Sequence, residues 1–122
     1  IGKLLEGNTG YVEKEIAALA SLCHAKKAHL KVIVETCYLS EKDIANVCAA
    51  VEQAGADFIK TSTGYGSRGA SLEDISLFKK YLKKGTKIKA SGGIRSREDA
   101  LKYIEAGCAR IGTSSGIKII KG

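Results

Sequence analysis

Short runs of β-branched and apolar residues alternate along this chain with longer amphipathic segments. Residues 30–36, Leu-Lys-Val-Ile-Val-Glu-Thr, have the composition of a buried parallel strand. Similar runs predict strands over residues 56–63, 87–91 and 109–113. Residues 12–27 carry apolar side chains on one side and predict an amphipathic helix upstream of the first strand. The pattern therefore predicts regular alternation of strand and helix.

A Ser-x-x-Asp pattern precedes each of the three helices predicted between and after these strands. In this arrangement the serine oxygen accepts an unpaired N–H of the first turn, and the acidic side chain can return a bond to the serine N–H. A glycine at the end of each helix predicts its C-cap. The capping pairs are Ser40 with Asp43, Ser71 with Asp74 and Ser96 with Asp99, and the terminal glycines are Gly55, Gly85 and Gly107.

Consecutive strand–helix units of this kind build a parallel α/β sheet with right-handed crossovers. Two architectures fit, a doubly wound open sheet and part of a (β/α)8 TIM barrel. Four strands cannot close a barrel by themselves. The chain also opens on Ile1-Gly2 and contains no methionine. We therefore expect a fragment or processed chain in which residues 1–122 form a single partial barrel domain, about four parallel strands with alternating helices.

The composition is that of an ordinary globular protein, with 44% hydrophobic and 27% charged residues. No apolar run approaches the roughly 18 residues of a membrane helix, and no secretory signal is evident. We therefore expect a cytoplasmic protein without a membrane partner. The four cysteines form no C-x-x-C pair, which predicts buried thiols rather than a metal site or disulfides. They are Cys23, Cys37, Cys48 and Cys108.

The net charge of +7, from 20 Lys and Arg against 13 Asp and Glu, allows a nucleic acid or an anionic metabolite as a partner. The densest basic run, residues 79–84, lies near the end of a predicted helix, where cations are favoured and the lysines face solvent. The run also lacks interleaved aromatic residues. We therefore expect no nucleic-acid partner and favour a small anionic metabolite.

Strand alternation gives two lysines an unusual direction. It places Lys60 opposite Ile59, and Lys89 opposite Ile88 and Ala90, so both lysines point into the barrel if the apolar residues pack under the helices. Neighbouring cations lower each other's affinity for protons, and a lysine amine with a free lone pair is a Schiff-base nucleophile. The alternative is a pair of structural lysines that are neutralised by carboxylates, such as Glu35, or that reach solvent.

Glycine and hydroxyl residues follow three successive strands: Thr63-Gly64, Ser91-Gly92-Gly93 and Gly112-Thr-Ser-Ser115. Such loops let backbone N–H groups approach an anion, and barrels commonly bind phosphate in the loops after their last two strands. The alternative is that these glycines only form tight turns. Residues 64–69 also fit G-x-G-x-x-G, but the next helix begins beyond that motif, which argues against a dinucleotide site.

Several of these segments, taken in order, closely resemble motifs of the deoxyribose-phosphate aldolase family. They are Phe58-Ile-Lys-Thr-Ser-Thr-Gly64, Lys89-Ala-Ser-Gly-Gly-Ile-Arg95 and Arg110-Ile-Gly-Thr-Ser-Ser115, supported by Leu30–Thr36 and Ala54-Gly-Ala-Asp57. The resemblance runs from the first long helix to the end of the chain. It implies the C-terminal half of a (β/α)8 barrel, with residues 30–36 as the fifth strand.

The resemblance also implies an activity that needs no metal and no redox cofactor. This family reversibly cleaves 2-deoxy-D-ribose 5-phosphate into acetaldehyde and D-glyceraldehyde 3-phosphate. Carried over by motif, Lys60 forms the imine, and Lys89 is the neighbouring ammonium that tunes it and relays protons. Lys31 is a supporting residue, and the phosphate is held by Gly64, Gly92, Gly93, Ser114 and Ser115.

Two departures from the family pattern limit this expectation. Tyr65 stands where some members carry a lysine. The catalytic aspartate of the family lies on the fourth strand, and by register this chain begins just after it. We therefore expect weak or absent activity from these residues alone, and either a homo-oligomer or completion by an N-terminal half. Another phosphate-binding Schiff-base aldolase, or a half-barrel with a structural role only, remains an alternative.

Overall fold

The strands form one parallel sheet in the order β1-β2-β3-β4, which is also their order along the chain. This computed structural model describes all of residues 1–122. Helices separate consecutive strands, as the alternating pattern predicts. The strands are β1 (Lys31–Ile33), β2 (Phe58–Lys60), β3 (Lys87–Ser91) and β4 (Arg110–Gly112).

Two α-helices precede the sheet, and one α-helix follows each of the four strands. The long helices supply the outer layer, and a single 3-10 turn, Thr36–Tyr38, lies between β1 and its helix. The helices are α1 (Gly2–Leu5), α2 (Thr9–Ala25), α3 (Glu41–Gln53), α4 (Leu72–Tyr81), α5 (Arg97–Glu105) and α6 (Gly116–Lys121).

The core lies between the helices and one face of the sheet. Ile59, Ile88 and Ala90 on that face are at most 3% exposed, and they pack in one cluster with α3 and α4 side chains such as Val51 and Phe78. Burying side chains of this size stabilises the fold by roughly 1.5–3 kcal/mol each. The opposite face, here called the inner face, carries Lys60 and Lys89.

The strand predictions were right in number and direction, but three strands are shorter than predicted. Only β3 has the predicted bounds. β1 ends at Ile33 rather than Thr36, because Glu35 adopts a left-handed backbone conformation with φ 54° and ψ 66°. The chain still follows its neighbour after this bend, since the Thr36 N–H donates to the Thr61 carbonyl at 2.9 Å.

The predicted serine caps all form. Ser40 and Ser71 make both bonds of the capping box, whereas Ser96 accepts from the Asp99 N–H without a return bond. α4 ends at Tyr81, earlier than the predicted end near Gly85. The reason is tertiary, because the Glu52 carboxylate of α3 accepts the N–H groups of the next residues, 83 and 84, at 2.8 and 2.7 Å.

Both edges of the sheet are open in this chain. A cleft of about 420 Å³, lined mainly by apolar residues, lies along β1 and the first two helices. At the other end of the sheet, Ile117 and Ile120 of α6 are more than 70% exposed. No helix of the chain combines the length and the apolar character that a membrane crossing needs.

Candidate active site

Lys60 and Lys89 are register partners across the β2–β3 pair. Neighbouring strands lie about 4.8 Å apart, so both side chains rise from adjacent points of the inner face. Lys89 is in turn the partner of Arg110 on β4. The helix-facing positions Ile59 and Ile88 are buried, so the predicted division of the strands into two faces is confirmed.

No carboxylate neutralises this pair of lysines. Neither Lys60 nor Lys89 belongs to any of the ion pairs of the chain. The Glu35 carboxylate is directed elsewhere and accepts hydrogen bonds from the N–H and hydroxyl of Thr63. The alternative in which Glu35 pairs with the two lysines therefore does not match the geometry.

The cationic surroundings act on Lys89. Its pKa is lowered from the ordinary lysine value, first by burial and then by the positive charges of Lys31, Lys60 and Arg110. Lys31 also contributes through a hydrogen-bond contact with the Lys89 amine. Lys31, which the motif comparison gave only a supporting part, is thus the strongest charged neighbour of Lys89.

Gly112 makes room for the Lys89 side chain to cross β4. A Cβ at this position would lie 2.8 Å from the Ser91 Cβ and 3.0 Å from the Lys89 Cε. Non-bonded contacts of a Cβ at less than about 3 Å essentially never occur in proteins, so a larger residue here would displace one of these groups. The glycine of the Arg110-Ile-Gly112 strand therefore has a packing role as well as a place beside the cleft.

A second basic group surrounds Phe58, one layer nearer the amino ends of the strands. The Arg110 guanidinium lies 4.4 Å from the ring centroid, and the Lys31 and Lys87 amines lie 5.7 and 5.9 Å from it. Such contacts stabilise cations over an aromatic face. The inner face is thus strongly positive along most of its length.

The three glycine and hydroxyl loops meet at the carboxyl ends of the strands and enclose one cleft of about 370 Å³. Lys60 lies on its wall, beside residues from all three loops. Lys89 and Ser115 do not line it, and Ser115 instead occupies the N-cap position of α6. The lining consists of Lys60, Thr63, Gly64, Ser91, Gly92, Gly93, Ile94, Arg95, Gly112, Thr113 and Ser114.

Several backbone N–H groups at this cleft make no hydrogen bond within the chain, among them those of Gly64, Gly92, Gly93 and Ser114. The three glycines have φ values of 104°, 86° and 80°, a left-handed backbone that other residues adopt only at a cost. Unpaired N–H groups on such backbone form concave anion-binding surfaces. With the Lys60 ammonium beside them, they can hold a phosphate-sized anion.

Close backbone contact and buried hydroxyls fix the loops under the cleft. A Cβ at Gly69 would lie 2.1 Å from the Gly92 carbonyl oxygen, so the loops after β2 and β3 touch at these two glycines. The Ser91 hydroxyl donates to the Ser62 carbonyl at 2.7 Å, and the Thr61 hydroxyl donates to the Ser91 carbonyl at 3.2 Å. The anion-binding surface is therefore largely preformed.

Residue patterns alone missed a buried aspartate and its partners. Asp74 is 2% exposed and accepts from the Thr36 hydroxyl at 2.8 Å and from the Arg68 guanidinium at 2.7 and 3.0 Å. The sequence predicted only a helix-capping role for Asp74, and it placed Arg68 in a glycine-rich loop without a role of its own. Arg95 and Thr113 also line the cleft. The recurring Ser-x-x-Asp pattern gave no sign that one of its aspartates is buried.

The chain has no cluster of metal-binding side chains, and its buried cysteines are unreactive. No three His, Cys, Asp or Glu side chains come together in a group that could hold a metal ion, and the absence of a cofactor stays a prediction. All four cysteines are free, but only Cys48 and Cys108 are buried. Burial raises the pKa of Cys48 to about 12 and that of Cys108 to about 11, so these thiols stay protonated and unreactive.

Comparison with known proteins places these features in a family. Residues 5–122 match the family model that is described as DeoC/LacD family aldolase. A deoxyribose-phosphate aldolase of Treponema denticola is 69% identical over 122 residues, and one of Thermococcus gammatolerans is 48% identical over the same length. These matches cover all of this chain but 56% and 54% of the two relatives. The chain spans about half the length of the curated relatives it matches.

Solved structures agree with this assignment. The aldolase QR15 is 45% identical and superimposes with a TM-score of 0.90 over 98% of this chain and 53% of that one. A deoxyribose phosphate aldolase from Aeropyrum pernix, described as having a unique tetrameric structure, is 34% identical with a TM-score of 0.83. It is matched over 89% of this chain and 47% of its own. The fold is thus half of a (β/α)8 barrel, and the chain belongs to the DeoC/LacD aldolase family.

Proposed function

We propose that this chain carries the imine-forming lysine and the phosphate site of a deoxyribose-phosphate aldolase. The reaction is the reversible cleavage of 2-deoxy-D-ribose 5-phosphate to acetaldehyde and D-glyceraldehyde 3-phosphate. One observation carries the proposal. Lys60 lies on the wall of a cleft that is also lined by Gly64, Gly92, Gly93 and Ser114, whose backbone N–H groups are unpaired. A nucleophilic amine and an anion site therefore lie within one small molecule's length of each other.

The chemistry needs only the Lys60 amine, water and proton transfer. The unprotonated amine adds to the aldehyde carbon of acetaldehyde, and the resulting carbinolamine loses water to give an iminium. Loss of a proton from its methyl carbon gives an enamine, which attacks the aldehyde carbon of glyceraldehyde 3-phosphate. The aldehyde oxygen takes a proton as the carbon–carbon bond forms. Water then hydrolyses the new iminium and releases the sugar phosphate and the free amine.

The phosphate of the substrate fits the glycine-lined end of the cleft. We assign its contacts to the N–H groups of Gly64, Gly92, Gly93 and Ser114, and we retain Ser115 as a further candidate at the N-cap of α6. Backbone donors are suited to this task, because they approach an anion closely and cost little to order. Tyr65, the residue after Gly64, is 96% exposed and makes no side-chain hydrogen bond. A direct phosphate contact is therefore not assigned to it.

Lys89 is proposed to act beside Lys60 rather than on the phosphate. Its lowered pKa makes the Lys89 ammonium a readier proton donor than an ordinary lysine. However, no carboxylate of the chain lies within ion-pair distance of either lysine. Without a carboxylate to accept the proton that the iminium loses, we expect slow turnover from these 122 residues alone.

The open sheet edges give the proposal a second part. Unpaired strand edges and the exposed apolar side chains of α6 favour further association. We propose that they are covered by additional strands of a longer polypeptide or in a homo-oligomer. We also propose a cytoplasmic location, which suits an enzyme whose substrate is a small sugar phosphate.

A cleavage assay tests the substrate class. Acetaldehyde release would be measured from 2-deoxy-D-ribose 5-phosphate, from 2-deoxy-D-ribose, and from a panel of C3 to C6 sugar phosphates. We expect the fastest release from the deoxyribose phosphate. The unphosphorylated sugar should react roughly 100-fold more slowly, because charge-assisted hydrogen bonds to the phosphate are lost. Equal rates with and without the phosphate would contradict the phosphate site. Faster cleavage of another sugar phosphate would identify a different Schiff-base aldolase.

A further inference from the structure

Glu35 occupies a costly position that the reaction outlined above does not use. It follows β1 directly, is 6% exposed, and has a left-handed backbone conformation with φ 54° and ψ 66°. Apart from glycine, residues rarely adopt this conformation, and such strain persists mainly where the surrounding structure holds it. A carboxylate is also expensive to bury. Both costs point to a specific task for this side chain.

That task is visible in the partners of its carboxylate. Both oxygens accept from the Thr63 N–H, at 3.2 and 3.3 Å, and one of them also accepts from the Thr63 hydroxyl. The Thr63 oxygen in turn accepts from the Tyr65 N–H at 3.1 Å. The bonds therefore run in one direction, from Tyr65 through Thr63 to Glu35, and they span Gly64. No cation pairs with Glu35, so loop donors alone satisfy its charge.

The loop also packs tightly against this carboxylate. A Cβ at Gly66 would lie 2.5 Å from the Cys37 Sγ and 3.1 Å from the Glu35 Oε1. Glu35 thus contacts the segment Thr63–Gly66 at both of its ends. Because the N–H groups of Thr63 and Tyr65 are bonded in this way, the N–H of Gly64 between them is left unpaired at the cleft.

We propose that Glu35 is a positioning residue that shapes the turn at Thr63–Gly66 so that the Gly64 N–H faces the anion site. This inference deepens the proposed function and rests on it. It assigns phosphate affinity, rather than imine formation, to a side chain that lies on a different strand end and does not line the cleft. The expected signature is weaker anion binding with an unchanged rate of imine formation by Lys60.

The test measures inorganic phosphate binding to the 122-residue chain by NMR titration of the Gly64, Gly92 and Gly93 amide signals. We expect Glu35→Gln to weaken phosphate affinity by roughly tenfold, since a hydrogen bond to a charged acceptor is lost. Thr63→Val should weaken phosphate affinity similarly, whereas Thr63→Ser, which keeps the hydroxyl, should bind phosphate with nearly wild-type affinity. Reductive trapping of acetaldehyde on Lys60 should proceed at the wild-type rate in Glu35→Gln, because Glu35 does not line the cleft.

A matched control comes from the opposite end of the sheet. The Glu52 carboxylate also accepts two backbone N–H bonds from a loop, those of Lys83 and Lys84, but lies far from the cleft. Glu52→Gln should therefore lower stability without changing phosphate affinity. Wild-type affinity in Glu35→Gln, or an equal loss in Glu52→Gln, would overturn the inference alone. No phosphate binding by the wild-type chain would overturn both the inference and the proposed phosphate site.

Discussion

Lys60 and Lys89 are register partners on adjacent parallel strands, and they face different surroundings. Lys60 lines the cleft at the carboxyl ends of the strands, whereas Lys89 is surrounded by Lys31, Lys60 and Arg110. The two lysines therefore have separable surroundings, one on the wall of the cleft and one in a cluster of positive charge. Substitutions around each of them should have different consequences.

Gly112→Ala should disturb Lys89 through packing. The added methyl group would lie 2.8 Å from the Ser91 Cβ and 3.0 Å from the Lys89 Cε, so β3 must shift at Ser91 and the lysine must give way as well. We expect a loss of about 1–3 kcal/mol in the free energy of unfolding, together with slower imine formation. Urea unfolding and acetaldehyde trapping measure the two effects.

Gly116→Ala is the control for this change, because a Cβ there meets nothing within 4 Å. It should leave both measurements near wild type. If the two alanine variants behave alike, the close contact between Gly112 and Lys89 is not needed for the site.

The pKa of Lys89 should rise when a neighbouring positive charge is removed. Burial is the largest cause of its lowered pKa, and Lys31 is the largest charged cause, ahead of Arg110. Lys31→Met should therefore raise the pKa of Lys89 more than Arg110→Met does, and neither should restore the ordinary value completely. NMR titration of the lysine side-chain signals checks this order. Lys42→Met, an exposed substitution on α3, should have no effect.

Asp74 should matter more for stability than its counterpart in the next capping pattern. Asp74 is buried and bonded to Thr36 and Arg68, whereas Asp99, at the same place of α5, is only half-buried, with a side chain that is 47% exposed. Asp74→Ala should lower the free energy of unfolding by about 2 kcal/mol, because it leaves the buried Thr36 hydroxyl without its acceptor and removes the charged partner of the half-exposed Arg68 guanidinium. Asp99→Ala should cost about 0.5 kcal/mol or less. Comparable losses in denaturant melts would show that Asp74 acts only as a cap.

The sequence predicted most of the regular structure because local rules decide it. β3 has the predicted bounds, since alternating lysines and buried residues define both of its faces. The serine caps at Ser40, Ser71 and Ser96 depend on residues three positions apart, which are visible without any tertiary information. The same alternation indicated that Lys60 and Lys89 share a face.

The deviations arise where distant residues decide the outcome. β1 stops early because Glu35 turns away to bind Thr63, which lies 28 positions later. α4 stops at Tyr81 because Glu52 captures the N–H groups of the following residues. α6 was not predicted, because it is only six residues long and has no side-chain cap. Patterns along the chain cannot show such contacts.

The candidate site followed the same division. The glycine and hydroxyl loops could be located from the sequence, because parallel strands bring their carboxyl ends to one edge. The sequence did not show which residues face the cleft, and Ser115 and Lys89 lie outside its lining. That distinction depends on the turn after β4, where the Thr113 hydroxyl donates to the Ile94 carbonyl at 2.6 Å and accepts from the Ser115 N–H at 2.9 Å.

Reductive trapping of acetaldehyde shows directly whether Lys60 forms the imine. The chain would be incubated with acetaldehyde and borohydride, digested, and searched by mass spectrometry for N-ethyl lysine. We expect an ethyl group on Lys60, its absence in Lys60→Leu, and wild-type labelling in Lys87→Leu, which removes another inner-face lysine outside the cleft. Circular dichroism would establish that both variants fold. Equal labelling of wild type and Lys60→Leu, or an adduct mainly on another lysine, would contradict the assignment of Lys60 as the nucleophile.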